Sequence, residues 1–95
     1  MDYKRTYFSR HAIQRMFERG ITQNEVLDSI ISGEVITEYV DDKPFPSYLI
    51  LGQTGDKPLH IVLAIDEPSQ ICHVITVYIP DNTVWHNDFK TRRDS

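Results

Sequence analysis

Cysteine is nearly absent from this chain. Cys72 is the only one in 95 residues, so no internal disulfide can form and no thiolate cluster can hold zinc. Its place inside an apolar run marks it as core filler rather than a nucleophile. Long apolar runs are also missing, and none approaches the roughly 20 residues of a membrane-spanning helix. The start, Met1-Asp2-Tyr3-Lys4-Arg5-Thr6-Tyr7, lacks the apolar segment of a signal peptide; the single cysteine makes a reducing cytoplasm the expected location. The four histidines have no metal-ligand spacing and no carboxylate cluster has ligand periodicity, so neither metal nor cofactor is expected. Gly52-x-x-Gly55 is turn punctuation with no helix after it, not a phosphate loop, and no nucleophile elbow occurs.

Cations are scarce in the middle of the chain. Residues 20–89 hold only Lys43 and Lys57 against eleven acids, a balance of −9. Residues 1–19 carry Lys4, Arg5, Arg10, Arg15 and Arg19 against Asp2 and Glu18, and residues 90–95 carry Lys90, Arg92 and Arg93 against Asp94. The ends are therefore +3 and +2 within a net charge of −4. If they meet in space they make one basic face. Otherwise they are a solvated helix surface and a charged tail. The 40% apolar and 25% charged composition suits one soluble domain over residues 1–95, with a core over about 7–85 and a polar tail over 86–95.

What is present is a clear helical stretch. Ser9 is placed to cap it, Ala12, Ile13, Met16 and Phe17 fill one arc, and Gly20 is placed to end it. The other arc carries His11, Gln14, Arg15, Glu18 and Arg19. Thr22-Gln23-Asn24-Glu25 is a capping box, followed by Val26, Leu27, Ile30 and Ile31 at helical spacing up to Gly33. The two helices form a hairpin, each with one apolar face that needs a sheet to cover.

Beyond Gly33 the period becomes two. Strands are expected over Val35–Val40, Tyr48–Gly52, Leu59–Ile65 and Ile71–Ile79, joined by short loops as an antiparallel meander. Tyr3 to Phe8 reads only weakly as an edge strand or extended lead-in. Thr83-Val84-Trp85 reads as one helical turn, and residues from His86 onward as a fraying tail. The expectation is an α+β fold of order ααββββ, a helical hairpin on one face of a four-stranded, mostly antiparallel sheet. Closing the last hairpin with the loop Asp66 to Ser69 sets Ile65 opposite Gln70 and Val62 opposite His73. His60 and His73 then sit diagonally on one sheet face.

The run His-Ala-x-x-Arg-Met-x-x-Arg-Gly-Ile from His11 to Ile21, with Gly33-Glu34-Val35-Ile36, Lys57-Pro58-Leu59-His60-Ile61-Val62 and Ile75-Thr76-Val77-Tyr78, resembles the bacterial domain-of-unknown-function family 4258. That family looks like a relative of the RelE-like and BrnT-like toxins. The resemblance implies a RelE/BrnT-like fold, an RNA-cleaving toxin, and a cognate antitoxin that can carry a zinc finger. RNA, ribosome-bound message included, is the implied substrate. The oligomeric state is left open.

Metal-free RNA cleavage needs a base for the 2′-hydroxyl, an acid for the leaving 5′-oxygen, and cations for the phosphorus centre. His11, Arg15 and Arg19 lie at i, i+4 and i+8 and form one stripe. The helix dipole at His11 favours the neutral imidazole and the base role, and the same end, with Arg10 beside it, attracts phosphate. The alternative for His11 is a first-turn histidine bonded to a nearby carbonyl. His60 and His73 are further proton-carrying candidates, or else packed and hydrogen-bonded histidines. Tyr78 is a candidate to stack on a base or bond a phosphate, and Arg92 and Arg93 to bind the backbone. The expected activity is acid/base endoribonuclease cleavage, with His11, Arg15, His60 and His73 as catalytic candidates. The rival is a non-catalytic module of the same fold that binds a protein or nucleic acid.

Overall fold

The computed structural model describes residues 3–93; residues 94 and 95 of the expected tail lie outside the described residues. Both helices form where their caps place them. Helix α1 spans Arg10–Arg19, and the Ser9 hydroxyl accepts from the Ala12 N–H at 2.9 Å while donating to the Ile75 carbonyl at 2.7 Å. Gly20 closes α1 at φ 69°, the left-handed conformation that a residue without Cβ adopts at little cost. Helix α2 spans Gln23–Ser32 behind a complete Thr22/Glu25 capping box. The Glu25 carboxylate also accepts from the Thr54 hydroxyl, which ties the start of α2 to the sheet.

The sheet departs from the expected four strands. It has five: β1 (Arg5–Phe8), β2 (Glu34–Tyr39), β3 (Ser47–Thr54), β4 (Lys57–Asp66) and β5 (Ile71–Tyr78). Their spatial order is β1-β5-β4-β3-β2, with β1 parallel to β5 and the other pairs antiparallel. The chain therefore runs βααββββ in a mixed sheet, not ααββββ. Four residues carry too little periodicity to announce a strand. What makes β1 one is pairing from Arg5↔Ile71 to Phe8↔Val74, with the Ser9 N–H reaching the Val74 carbonyl at 2.9 Å. The two helices carry the chain from β1 at one edge to β2 at the other, and the connection between the parallel partners β1 and β5 runs through both helices and the three strands between.

One face of the sheet carries both helices. Ala12, Met16, Val26 and Ile30 pack on Ile50, Leu59, Ile61, Leu63, Ile65, Cys72, Val74 and Val77 to form the core. Helix α2 comes close to β3 at Gly52, where an added Cβ would lie 2.5 Å from the Ser29 Cβ. The opposite face is covered only in part. The segment after β5 turns back across it, with Trp85 buried, the His86 N–H on the Thr91 carbonyl, and the Arg93 N–H on the Val84 carbonyl. A Lys90–Glu34 ion pair at 2.9 Å pins it to β2. Through residue 93 the expected fraying tail is thus a folded strap. Covered on both sides, β4 explains its near-continuous apolar run.

The β4–β5 register also differs from the expected one. Ala64, not Val62, faces His73, because pairing starts at Asp66↔Ile71 and leaves residues 67–70 as the loop. Gln70 sits at φ 55° and Asp66 accepts from the Ser69 N–H, which closes the turn one residue later than the apolar pattern implies. Next to the turn the shift is of two residues, so Ala64 and His73 keep their faces; a bulge between Val62 and Leu63 then adds a residue on β5 and brings Tyr78 opposite His60.

Gly52→Ala tests the α2–β3 contact. The added methyl forces α2 off the sheet and costs about 1–3 kcal/mol, lowering the thermal midpoint by several degrees. A melt followed by circular dichroism reads it directly.

Candidate functional site

The strap and the open sheet face enclose a buried imidazole. His60 alternates away from the helix-facing Leu59 and Ile61, and Tyr78, its partner on β5, projects beside it. His60 is 0% exposed. Its Nε2 lies 2.8 Å from the Phe89 carbonyl and its Nδ1 3.1 Å from the Tyr78 hydroxyl. A carbonyl only accepts, so Nε2 carries the hydrogen and Nδ1 receives the Tyr78 O–H. The ring meets Trp85 edge-on at 4.6 Å and Tyr78 at 5.1 Å between centroids. Burial holds the His60 pKa below its ordinary value, although the Phe89 carbonyl works in the opposite direction. Burial raises the Tyr78 phenol; the Tyr39 phenol adds to that rise and the Arg92 guanidinium opposes it. The pair is therefore a neutral imidazole accepting from a neutral phenol.

Above Tyr78 lies a groove of about 440 Å³ between β2, β3, β5 and the strap. Thr37, Tyr39, Tyr78, Lys90, Thr91 and Arg92 are among its lining residues. Arg92 stands 5.6 Å from the Trp85 ring centroid, a cation held over an aromatic face. Asp88 accepts from the Lys90 and Thr91 N–H groups and the Thr91 hydroxyl, which sets the turn that brings Lys90 and Arg92 to the groove.

Three sequence candidates, His60, Tyr78 and Arg92, thus come together. Arg93 instead braces the strap, its Nε donating to the Trp85 carbonyl at 2.9 Å and to the Asn82 carbonyl. His73 shares the open face with His60 but not its surroundings. It lies four residues along β4, about 13 Å away, stacked on Phe45 and tilted against Tyr7. The expected His60–His73 diagonal does not form. The α1 candidates are farther still. His11 and Arg10 are exposed in its first turn, Arg15 pairs with Glu18 at 3.2 Å, and Arg19 lies at the α1–α2 corner. Helix α1 packs on the other side of β5, so the sheet stands between these groups and Arg92. The cations of α1 and those of the strap do not form a single face.

Sequence reading missed Trp85, Lys90, Thr91 and the Phe89 carbonyl. The signal was there in Asn87-Asp88-Phe89-Lys90-Thr91, an aspartate placed to organise a turn, next to the chain's only tryptophan. Among the described residues no group of three or more His, Cys, Asp or Glu is placed to hold a metal. No helix among them is long and apolar enough to cross a membrane.

The model of a domain of unknown function (DUF4258) matches residues 8–79. The chain belongs to this family. Searches of the curated proteins and of the solved structures return no match. The DUF4258 match takes in His60 and Tyr78, while Trp85, Lys90 and Arg92 fall beyond it. In this family member the strap completes a groove whose floor is built by the matched domain.

A neutral buried histidine makes folding pH-dependent. Below about pH 6.5 the unfolded chain takes up a proton that the buried imidazole does not, so stability falls as pH drops through that value. The slope is at most about 1.4 kcal/mol per pH unit from this one group. Denaturant melts between pH 7.5 and 5 measure it, and His60→Gln, less stable overall, removes that part of the slope.

Proposed function

We propose that this chain is a metal-independent endoribonuclease, the toxin of a toxin–antitoxin pair, acting at the groove on the open sheet face. The observation that carries the reading is the Tyr78 phenol, hydrogen-bonded to neutral His60 in a groove that Arg92 also lines. The reading is supported by the motifs that resemble family 4258, a family that looks like a relative of RelE-like and BrnT-like toxins.

His60 is sealed from solvent, so the group that meets RNA is the Tyr78 oxygen. The 2′-hydroxyl hands its proton to that oxygen while the phenol's own proton passes to Nδ1 of His60. The Phe89 carbonyl, already bonded at Nε2, holds the imidazolium that results. The 2′-oxygen bonds to phosphorus, the bond to the 5′-oxygen breaks, and that oxygen takes a proton from water at the groove mouth. The products are a 2′,3′-cyclic phosphate and a 5′-hydroxyl, and His60 returns its proton to solvent through Tyr78. Arg92 offers a planar fork to the phosphate oxygens as charge builds on them. His60 acts through Tyr78 and is a positioning and proton-holding residue.

A second reading, a protein-binding module without catalysis, draws on α1. Phe17 is 87% exposed there and Ile13 47%, one turn apart, an apolar strip that a partner would cover. Under the first reading the same strip is available to the antitoxin.

RNA cleavage by purified protein decides between them. Tyr78→Phe should lower the rate by about 10²–10⁴-fold and Arg92→Ala by about 10²–10³-fold, with folds intact by circular dichroism. His11→Ala and Arg15→Ala, on the far side of the sheet, should leave it unchanged. Undiminished cleavage by folded Tyr78→Phe removes the chemistry from this groove. An inert wild type, tested on ribosome-bound message as well as free RNA, leaves the binding module.

A further inference from the structure

The open face carries a second group of rings that the groove does not use. Tyr7 on β1 and His73 on β5 are direct cross-strand partners, their ring centroids 6.0 Å apart. Phe45, from the loop before β3, lies nearly parallel to His73 at 5.8 Å. The strap does not bury this end of the sheet: Tyr7 is 48% exposed. Arg5, two residues before Tyr7 on the same strand, projects to the same face. It makes no ion pair among the described residues.

We propose that Tyr7, His73 and Phe45 form a stacking platform for bases of single-stranded RNA, with Arg5 placed for the adjoining phosphate. Rings presented from adjacent strands of an uncovered sheet face suit this task, because every base has a flat π-face and an open sheet lets an extended strand lie across it. The platform lies about 13 Å along β4 from Tyr78, the span of a few extended nucleotides. A strand seated on the platform therefore reaches the groove, where Lys90 and Arg92 add positive charge. Arg5 lies at one end of the ring group and Arg92 at the groove beyond the other. The inference deepens the ribonuclease reading and rests on it for the direction of the strand, but base stacking is measurable without cleavage.

The test uses a labelled oligoribonucleotide of about ten nucleotides for binding and a dinucleotide for cleavage. Tyr7→Ala and His73→Ala should each weaken oligonucleotide binding by about 5- to 100-fold. Tyr7→Phe, which keeps the ring, should bind as the wild type does. Cleavage of the dinucleotide, too short a substrate to span to the platform, reports on the groove, and Tyr78→Phe should lower it by about 10²–10⁴-fold. Unchanged oligonucleotide affinity in folded Tyr7→Ala and His73→Ala overturns the platform, even if the dinucleotide is cleaved. Ring-dependent binding without any cleavage keeps the platform and overturns the nuclease. A wild type that neither binds nor cleaves overturns both.

Discussion

The open side of this molecule depends on the two hydrogen bonds of one imidazole. A histidine removed from water must satisfy both ring nitrogens, and His60 does so with one partner from β5 and one from the strap. The Phe89 carbonyl fixes the tautomer, and the tautomer fixes the direction of the Tyr78 proton. Phe89 sits at φ 57°, a conformation uncommon outside glycine, held by a backbone bond to the His86 carbonyl at 2.9 Å. Remove that carbonyl and the buried N–H loses its partner, at a cost comparable to a sizeable part of a small domain's stability. The strap is thus coupled to the sheet by chemistry as well as by packing.

The same bonds explain why β4 is central. Its helix-facing residues enter the core, while its other face receives His60 and Ala64 beneath the strap and the Tyr7–His73–Phe45 rings. A strand buried on both faces has no solvent side on which to place a charge, and a neutral imidazole is among the few polar groups such a position accepts. Ala64 faces His73, and Phe45 reaches the His73 ring from the loop before β3.

The helical layer was legible because its signals are local. Ser9, Gly20 and the Thr22/Glu25 box each act within four residues, and the structure uses all of them as the spacing implies. Strand β1 was only weakly legible, an edge strand being one of two readings of Tyr3 to Phe8, since Arg5-Thr6-Tyr7-Phe8 is fixed as a strand by a partner more than sixty residues away. The faces of His60 and His73 followed from the period of two, and a two-residue register shift left them intact. Their adjacency did not survive, because it depended on which residue closed the turn. Of the candidate site, His60, Tyr78 and Arg92 were named from residue chemistry. Their grouping rests on the strap, where polar composition masked an ordered turn. The expectation that the charged ends converge failed for the α1 cations for a topological reason: α1 and the strap lie on opposite faces of the sheet.

That separation changes how the acidic net charge bears on RNA binding. A charge is felt over about 8 Å at physiological ionic strength, so a groove responds to the groups that line it rather than to the sum over the chain. Here no acid is among the groove's described lining residues, Glu34 on the neighbouring strand is paired with Lys90, and Arg92 partly offsets the rise that burial imposes on the Tyr78 phenol. A low-dielectric wall of Trp85, Tyr78 and Leu49 strengthens that local field. Most of the remaining acids lie in loops, on β2 and on α2, away from the groove's floor. Net charge therefore governs non-specific attraction, while the geometry of a few residues on the open face governs where a phosphate can rest.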